Sequence, residues 1–504
     1  MHWPHLPDAR TDADLAFTDA AAAKVWLASL PSEAHGEALS AVLRQVEAID
    51  VAGLPAPRTV ALLNVLRTAA VPRLANLEPG FARKPLPMTE GEASDFAVAV
   101  QFWMRLGMSY LRPVPHCTPA NRSVPLLRAA SAFRLAQRVH YLAGRSCPAL
   151  FDQLLIAALS AAIANDVVHK VMADPDFPRH GSGTIAGQVA WAFLLRAIDP
   201  YHLTAIEFPV AERTFGRWRE LAVFRNDRPA AADEVSVIDL VSVTGGSVPE
   251  GFPRWLDILA VTQKIARRIE LLEDGEPPGS LKLGRELSAA AVIRLLANLD
   301  LHLRTRPDHP RQDGSELNLF FGAENAYATL TGAVLNAPYN RGPTGRAAGY
   351  QQLAIYGSIR KETNSTGERW LLNGDLATRA PADGAARVLA PCLVAAEIDG
   401  APRLGIAKSL RCEADSTLSM RLEWFESVEA GSLKQLAPQG ERLVRVPAFV
   451  LAEAGQPTSL IVPPGAGVRL RVTVEIAGTS IHALVPTAIL ERGTDFIRYA
   501  CTRR

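Results

Sequence analysis

The sequence predicts an α+β multidomain protein, mainly helical up to Arg304 and built of antiparallel strands after it. Two changes of pattern carry that division. Before the boundary, apolar residues recur at helical spacing, as at Leu39, Val42, Leu43, Val46 and Ile49. After it they alternate with polar residues, as Leu418, Met420, Leu422 and Trp424 do with Ser419, Arg421 and Glu423. The joint itself is marked by Arg304-Thr305-Arg306-Pro307-Asp308-His309-Pro310-Arg311, a prolyl turn bearing exposed guanidinium groups.

The helical elements follow in order from Asp19. After Pro55 and Pro57 the stripe continues through Leu62, Leu63 and Leu66. Lys84-Pro85-Leu86-Pro87 is a stiff extended linker, and Thr89-Glu90-Gly91-Glu92 is a capping box that starts the helix of Phe96, Val100, Trp103, Met104 and Met108. Pro113, Pro115 and Pro119 break the pattern. Helices are expected at 128–144 and 149–171, the latter apolar enough for the middle of a bundle. After a Gly/Pro-rich break at 174–183 comes a helix at 185–197. Residues 205–250 are less regular, and Asp233–Val243 reads as either strand or extended loop. Helices at 254–273 and 283–304 complete the region. Trp103, Trp191 and Trp255 sit in apolar helical stretches and read as core.

The second half is punctuated by turns. Asp399-Gly400 is a hairpin signal between Leu393–Ile398 and Leu404–Lys408. Val468, Leu470, Val472, Val474 and Ile476 alternate with polar residues, which predicts a strand with Arg469 and Arg471 on its wet face. Pro338–Gly349 reads as an inserted loop. The expected domains are 19–304, helical and in one or two parts; 305–436, a β-barrel; and 437–504, a further small β unit or part of the same barrel.

Composition excludes several function classes. The 504 residues suffice for two or three domains with ample core. Lys plus Arg is 53 and Asp plus Glu is 52, so the net charge of +1 gives no global attraction to DNA, RNA or anionic membranes. Cys117, Cys147, Cys392, Cys412 and Cys501 form no CxxC, which argues against a disulfide framework or zinc site and for a reducing, cytoplasmic setting. Met1–Asp14 has no apolar run of a signal peptide, and the longest apolar stretch, Leu154–Ala164, is too short to span a bilayer. The histidines show no HxH or HExxH, and neither GxSxG nor a Walker A motif is present, so neither metal, cofactor nor catalysis is expected. Gly181-Ser182-Gly183-Thr184-Ile185-Ala186-Gly187 opens a helix, but its spacing is not GxGxxG. Arg213-Thr214-Phe215-Gly216-Arg217 reads as a solvated face or turn.

Arginine suits phosphate because its planar fork gives paired hydrogen bonds and its face stacks on bases. Arg304, Arg306 and Arg311 are therefore the candidate ligand-binding residues; the other reading of them is a helix end whose cations offset the C-terminal dipole. An arginine-rich turn feeding a strand and a small antiparallel barrel resembles the PilZ family of cyclic di-GMP receptors. In that family an RxxxR turn and a later D/N-x-S-x-x-G segment hold the dinucleotide. The later segment corresponds to Asn373-Gly374-Asp375-Leu376-Ala377-Thr378. Arg306 and Arg311 are separated by four residues instead of three, Asp375 stands where Ser is expected, and Thr378 stands where Gly is expected.

The resemblance implies a PilZ-like barrel that binds cyclic di-GMP through Arg304, Arg306, Arg311, Asn373 and Asp375 and acts on the helical domain and a protein partner. The departures keep a second reading open, a degenerate barrel serving as an adaptor that binds a protein and no nucleotide. An enzyme in the helical region would require a polar pocket of groups such as Asp166, His169 and His202.

Overall fold

The computed structural model describes residues 14–227, 236–244, 248, 252–304, 314–335, 367–381, 386–436, 443–452, 458–478 and 481–503. They fall into two compact units, residues 1–308 and 309–504.

The first unit is helical, as the apolar periodicity predicts. Its helices are α1 (Ala20–Ala28), α2 (His35–Val51), α3 (Ala56–Leu77), α4 (Glu90–Leu111), α5 (Ser123–Leu142), α6 (Ala149–Ala164), α7 (Ile185–Ala197), α8 (Glu207–Trp218), α9 (Leu240–Thr244), α10 (Leu259–Glu273) and α11 (Ala289–Arg304). A two-stranded hairpin, β1 (Met172–Ala173) and β2 (Ser182–Gly183), projects between α6 and α7. A small sheet in the order β3-β5-β4 joins β3 (Val223–Arg225), β4 (Val237–Asp239) and β5 (Trp255–Asp257).

Local signals explain several boundaries. The stripe Leu39, Val42, Leu43, Val46 and Ile49 is buried on α2. The capping box forms at α4: Thr89 N–H donates to Glu92 Oε2 at 2.8 Å and Glu92 N–H to Thr89 Oγ1 at 3.3 Å, which satisfies amides that a helix start leaves unpaired. The centre of the unit is α5. Of its residues only Val124 and Arg138 escape burial, so Arg128 and Arg134 are carried inside with the apolar chain.

The second unit contains two closed antiparallel barrels. The first has the order β10-β11-β8-β7-β6-β9, from β6 (Ser315–Phe321), β7 (Glu368–Asn373), β8 (Leu376–Arg379), β9 (Cys392–Ile398), β10 (Ala401–Cys412) and β11 (Leu418–Trp424). The second has the order β12-β13-β14-β17-β16-β15, from β12 (Val428–Leu436), β13 (Leu443–Leu451), β14 (Ser459–Val462), β15 (Val474–Ala477), β16 (Ile481–Arg492) and β17 (Ile497–Arg503). Closure removes the free edges that open sheets expose. A helix, α12 (Ala323–Thr331), follows β6. Its Ala323 and Ala326 join Leu393, Ile406, Phe425, Phe449 and Phe496 in one core shared by both barrels. Each such large side chain contributes about 1.5–3 kcal/mol on burial.

Several sequence expectations are corrected. The helix expected over 149–171 ends at Ala164, where Asn165 turns its amide back to Ala161 O at 2.7 Å and Asp166 takes a positive φ of 55°. The helix expected from 254 begins at Leu259; Trp255 lies on β5, only partly buried, with the Arg254 guanidinium 4.8 Å from its ring centroid. Asp233–Val243 is neither one strand nor one loop: its described part is β4 followed directly by α9. The strand expected over Val468–Ile476 is real only from Val474. Arg471 has φ 63° and its N–H donates to Pro486 O at 2.7 Å, so the alternating residues before it form a turn and leave Leu470 and Val472 exposed. The loop expected over Pro338–Gly349 lies outside the described residues.

Candidate functional site

The register of the first barrel places the predicted second motif. Strand β6 opens with Ser315 opposite Leu372 of β7, and β7 ends one residue later at Asn373. The start of β6 thus lies beside the β7–β8 turn. Asn373 and Leu376 close that turn, with Gly374 at φ 63°, where a side chain would be strained. Asp375 sits at its tip. The Asp375 carbonyl accepts from Leu422 N–H at 2.7 Å, and its exposed carboxylate lies 3.4 Å from Arg421 Nη1. Arg421 therefore offsets part of the Asp375 charge.

The predicted arginines are placed less completely. Arg304 is the last residue of α11, where its Nε donates to Asp300 Oδ2 at 2.7 Å, one helical turn back. That contact matches the reading of a cation at a helix C-terminus. Arg306 and Arg311 lie outside the described residues. Arg213 and Arg217 are used within the helical unit, Arg213 in a two-pronged pair with Glu286 (2.9 and 3.0 Å) and Arg217 on the Lys282 carbonyl. His202 stacks on His302 with ring centroids 4.2 Å apart, a packing contact between α11 and the turn before α8.

A second arginine-rich arrangement lies inside the helical unit around the β1–β2 hairpin. Arg67 of α3 and Arg128 of α5 converge on two hairpin carboxylates. Arg67 donates to Asp174 at 2.6 and 2.9 Å and also to Asp176; Arg128 donates to Asp174 and reaches Asp176 at 3.3 Å. Arg219, just past α8, holds the hairpin backbone through His180 O and Ser182 O, both at 2.9 Å. Gly183 is required there, because a Cβ would collide with the Arg219 guanidinium. The rings form a continuous stack: Phe177 lies parallel to His180, His180 meets Trp191 edge-on at 4.9 Å, and Arg134 stacks 3.6 Å over Trp191.

Arg134 is the unusual member. It is 1% exposed; its Nε donates to Gln188 Oε1 at 3.1 Å, yet Nη1 and Nη2 make no hydrogen bond among the described residues. Glu212 stands 3.6 Å from Nη1 while accepting from Arg138 Nε at 2.9 Å. Burial pulls the Arg134 guanidinium down to about 9, a fall that Glu212 only partly offsets. Leaving a buried neutral donor unpaired costs about 1–3 kcal/mol, and more for a charged one. Burial also pulls His180 down to about 4, assisted by Arg134. For Asp174, burial works upward, but Arg67 and Arg128 win and its carboxyl lies below the usual range.

Residues 21–230 match the family model described as cyclic-di-GMP receptor FimW, N-terminal domain. The match runs from α1 through β3 and contains the whole arginine arrangement around the hairpin. It stops before α10, α11 and both barrels. No curated protein and no solved structure matches the chain. Among the described residues there is no group of three or more His, Cys, Asp or Glu suited to a metal ion, and no helix is long and apolar enough to cross a membrane.

Sequence reasoning missed Arg67, Arg128 and Arg134. The signal for Arg128 and Arg134 was present in α5, where they interrupt a largely apolar helix that is buried almost throughout. Asp174-Pro175-Asp176 was the other half of it, two carboxylates in a break between helices.

Proposed function

We propose that this chain is a non-enzymatic cyclic di-GMP receptor or effector. The match of residues 21–230 to the N-terminal domain of a cyclic-di-GMP receptor family carries that reading. In this reading Arg304, Arg306 and Arg311 meet phosphates and guanine, and Asn373 with Asp375 forms the lip of a PilZ-like barrel. The pairing of Ser315 with Leu372 supports this, since it sets Ser315, four residues after Arg311 in sequence, next to Asn373. So does Arg421, which stands 3.4 Å from the Asp375 carboxylate and offsets part of its charge. Binding fixes the turn and acts through it on the helical domain, which passes the signal to a protein partner in the cytoplasm.

Thermal unfolding in the presence of cyclic di-GMP, cyclic di-AMP and GMP tests the reading. Ligand at a hundredfold excess over Kd stabilises the bound form by about 2.7 kcal/mol. A rise in Tm with cyclic di-GMP and none with GMP is the expected result. Three flat series would leave an adaptor that binds protein and no nucleotide.

A further inference from the structure

The β1–β2 hairpin has few contacts of the kind that hold a strand pair. Only Met172 with Gly183 and Ala173 with Ser182 are paired. Short isolated hairpins are marginal in water. Along its outer edge Pro175, Pro178, Arg179, Gly181 and Ser182 are exposed. It is held by ion pairs of Asp174 and Asp176 with Arg67 and Arg128, by its carbonyls on Arg219, and by Met172 and Phe177 packed against the helical core.

The chemistry of that hold is anion recognition. Asp174 and Asp176 converge on the same nitrogen of Arg67, so two guanidinium groups face a dense set of carboxylate oxygens, as they would face a phosphate. The N-terminus of α7 is used in the same way, with Glu220 accepting from Thr184 N at 2.9 Å and from Thr184 Oγ1 at 2.8 Å. Close by, Arg134 keeps two unspent nitrogens on a face that already stacks on an indole ring. A phosphodiester that displaced the two carboxylates would bring one negative charge in place of two, with its two free oxygens shared between Arg67 and Arg128. It would also offer an acceptor to Arg134 Nη1 and Nη2, which make no hydrogen bond among the described residues although Glu212 stands 3.6 Å from Nη1.

We infer that the β1–β2 hairpin is a displaceable cover. Asp174 and Asp176 hold the place of an anion on Arg67 and Arg128, and a phosphodiester of the cyclic dinucleotide takes those two groups together with Arg134 when the hairpin lifts. This rests on the receptor reading and adds a second contact region for the ligand, inside the helical unit. Phe177 and His180 leave with the hairpin and expose the Trp191 face for a base.

The test is hydrogen exchange on the full chain with and without saturating cyclic di-GMP, alongside calorimetric titration of Arg134→Gln and Asp176→Asn. Amides of residues 172–184 should change their exchange on binding. Arg134→Gln should lose tenfold or more in affinity. Asp176→Asn, which weakens the cover, should bind several-fold more tightly, and it decides the matter if Arg134→Gln fails to fold. Unchanged exchange in the hairpin, with wild-type affinity in the folded variants, overturns the inference while leaving a receptor whose site is the joint alone. Absence of any binding by the wild-type chain overturns both.

Discussion

The helical unit buries a group of arginines around its hairpin, whereas the barrel unit displays the charges of its candidate site at the surface. Arg67, Arg134 and Arg219 are at most 2% exposed, each on a different element; the partners of Arg67 and Arg219 are brought by a hairpin far away in sequence, and that of Arg134 by α7. The Asp375–Arg421 pair stands in solvent on a turn and an adjacent strand. Buried charges are expensive to unpair and therefore fix structure or store a binding potential. Exposed ones cost little to rearrange and are free to meet a ligand.

The largest expected effect breaks the buried side. Arg67→Met leaves Asp174 and Asp176 short of a partner in a water-poor site, and should destabilise the helical unit by about 3–5 kcal/mol. Thermal unfolding followed by helical circular dichroism would read this, and Arg67→Met combined with Asp174→Leu should recover much of the loss. A small effect in the single variant would mean that the hairpin simply lifts away.

Acid comes next. Burial lowers both His140 and His180 to about 4 from the ordinary 6.5, so each contributes stability that is fully present above pH 6.5 and lost as pH falls through 4. Asp152 works the other way. Burial raises it to about 6, against the pull of Arg196, so its contribution is present below the ordinary carboxylate value and lost as pH rises through 6. Two histidines outweigh one carboxyl, and net stability should fall between pH 6.5 and 4. His180→Gln should flatten that slope in a series of unfolding curves.

Smaller effects belong to the turn. Gly374→Ala places a side chain at φ 63° with open space around it, so strain alone acts, costing about 1–2 kcal/mol. Arg421→Ala should cost at most about 1 kcal/mol in denaturant unfolding, because its partner is exposed. It should weaken nucleotide binding more than stability, by returning the full Asp375 charge to the lip.

Much of the fold was legible because periodicity is local. The helix to strand change, the capping box at Thr89 and the Asp399-Gly400 hairpin depend on neighbours in sequence, and each stands where its residues place it. Leu470 and Val472 misled for the same reason: a run of alternating residues carries no sign that Arg471 adopts a left-handed turn. Helix α12 escaped notice because its nine residues are too few to set a period. The candidate turn was legible as a cluster of arginines. The buried arrangement was not, since Arg67 and Asp174 meet only when α3, α5 and the hairpin are packed together.

The most direct measurement of the central claim is calorimetric titration of the full chain with cyclic di-GMP, beside the Arg306→Ala, Arg311→Ala double variant. Binding at micromolar or tighter affinity that the double variant weakens or loses is the expected result. No heat at saturating ligand, with no shift in Tm, would contradict the receptor reading and leave the barrels and helices as a scaffold for a protein partner.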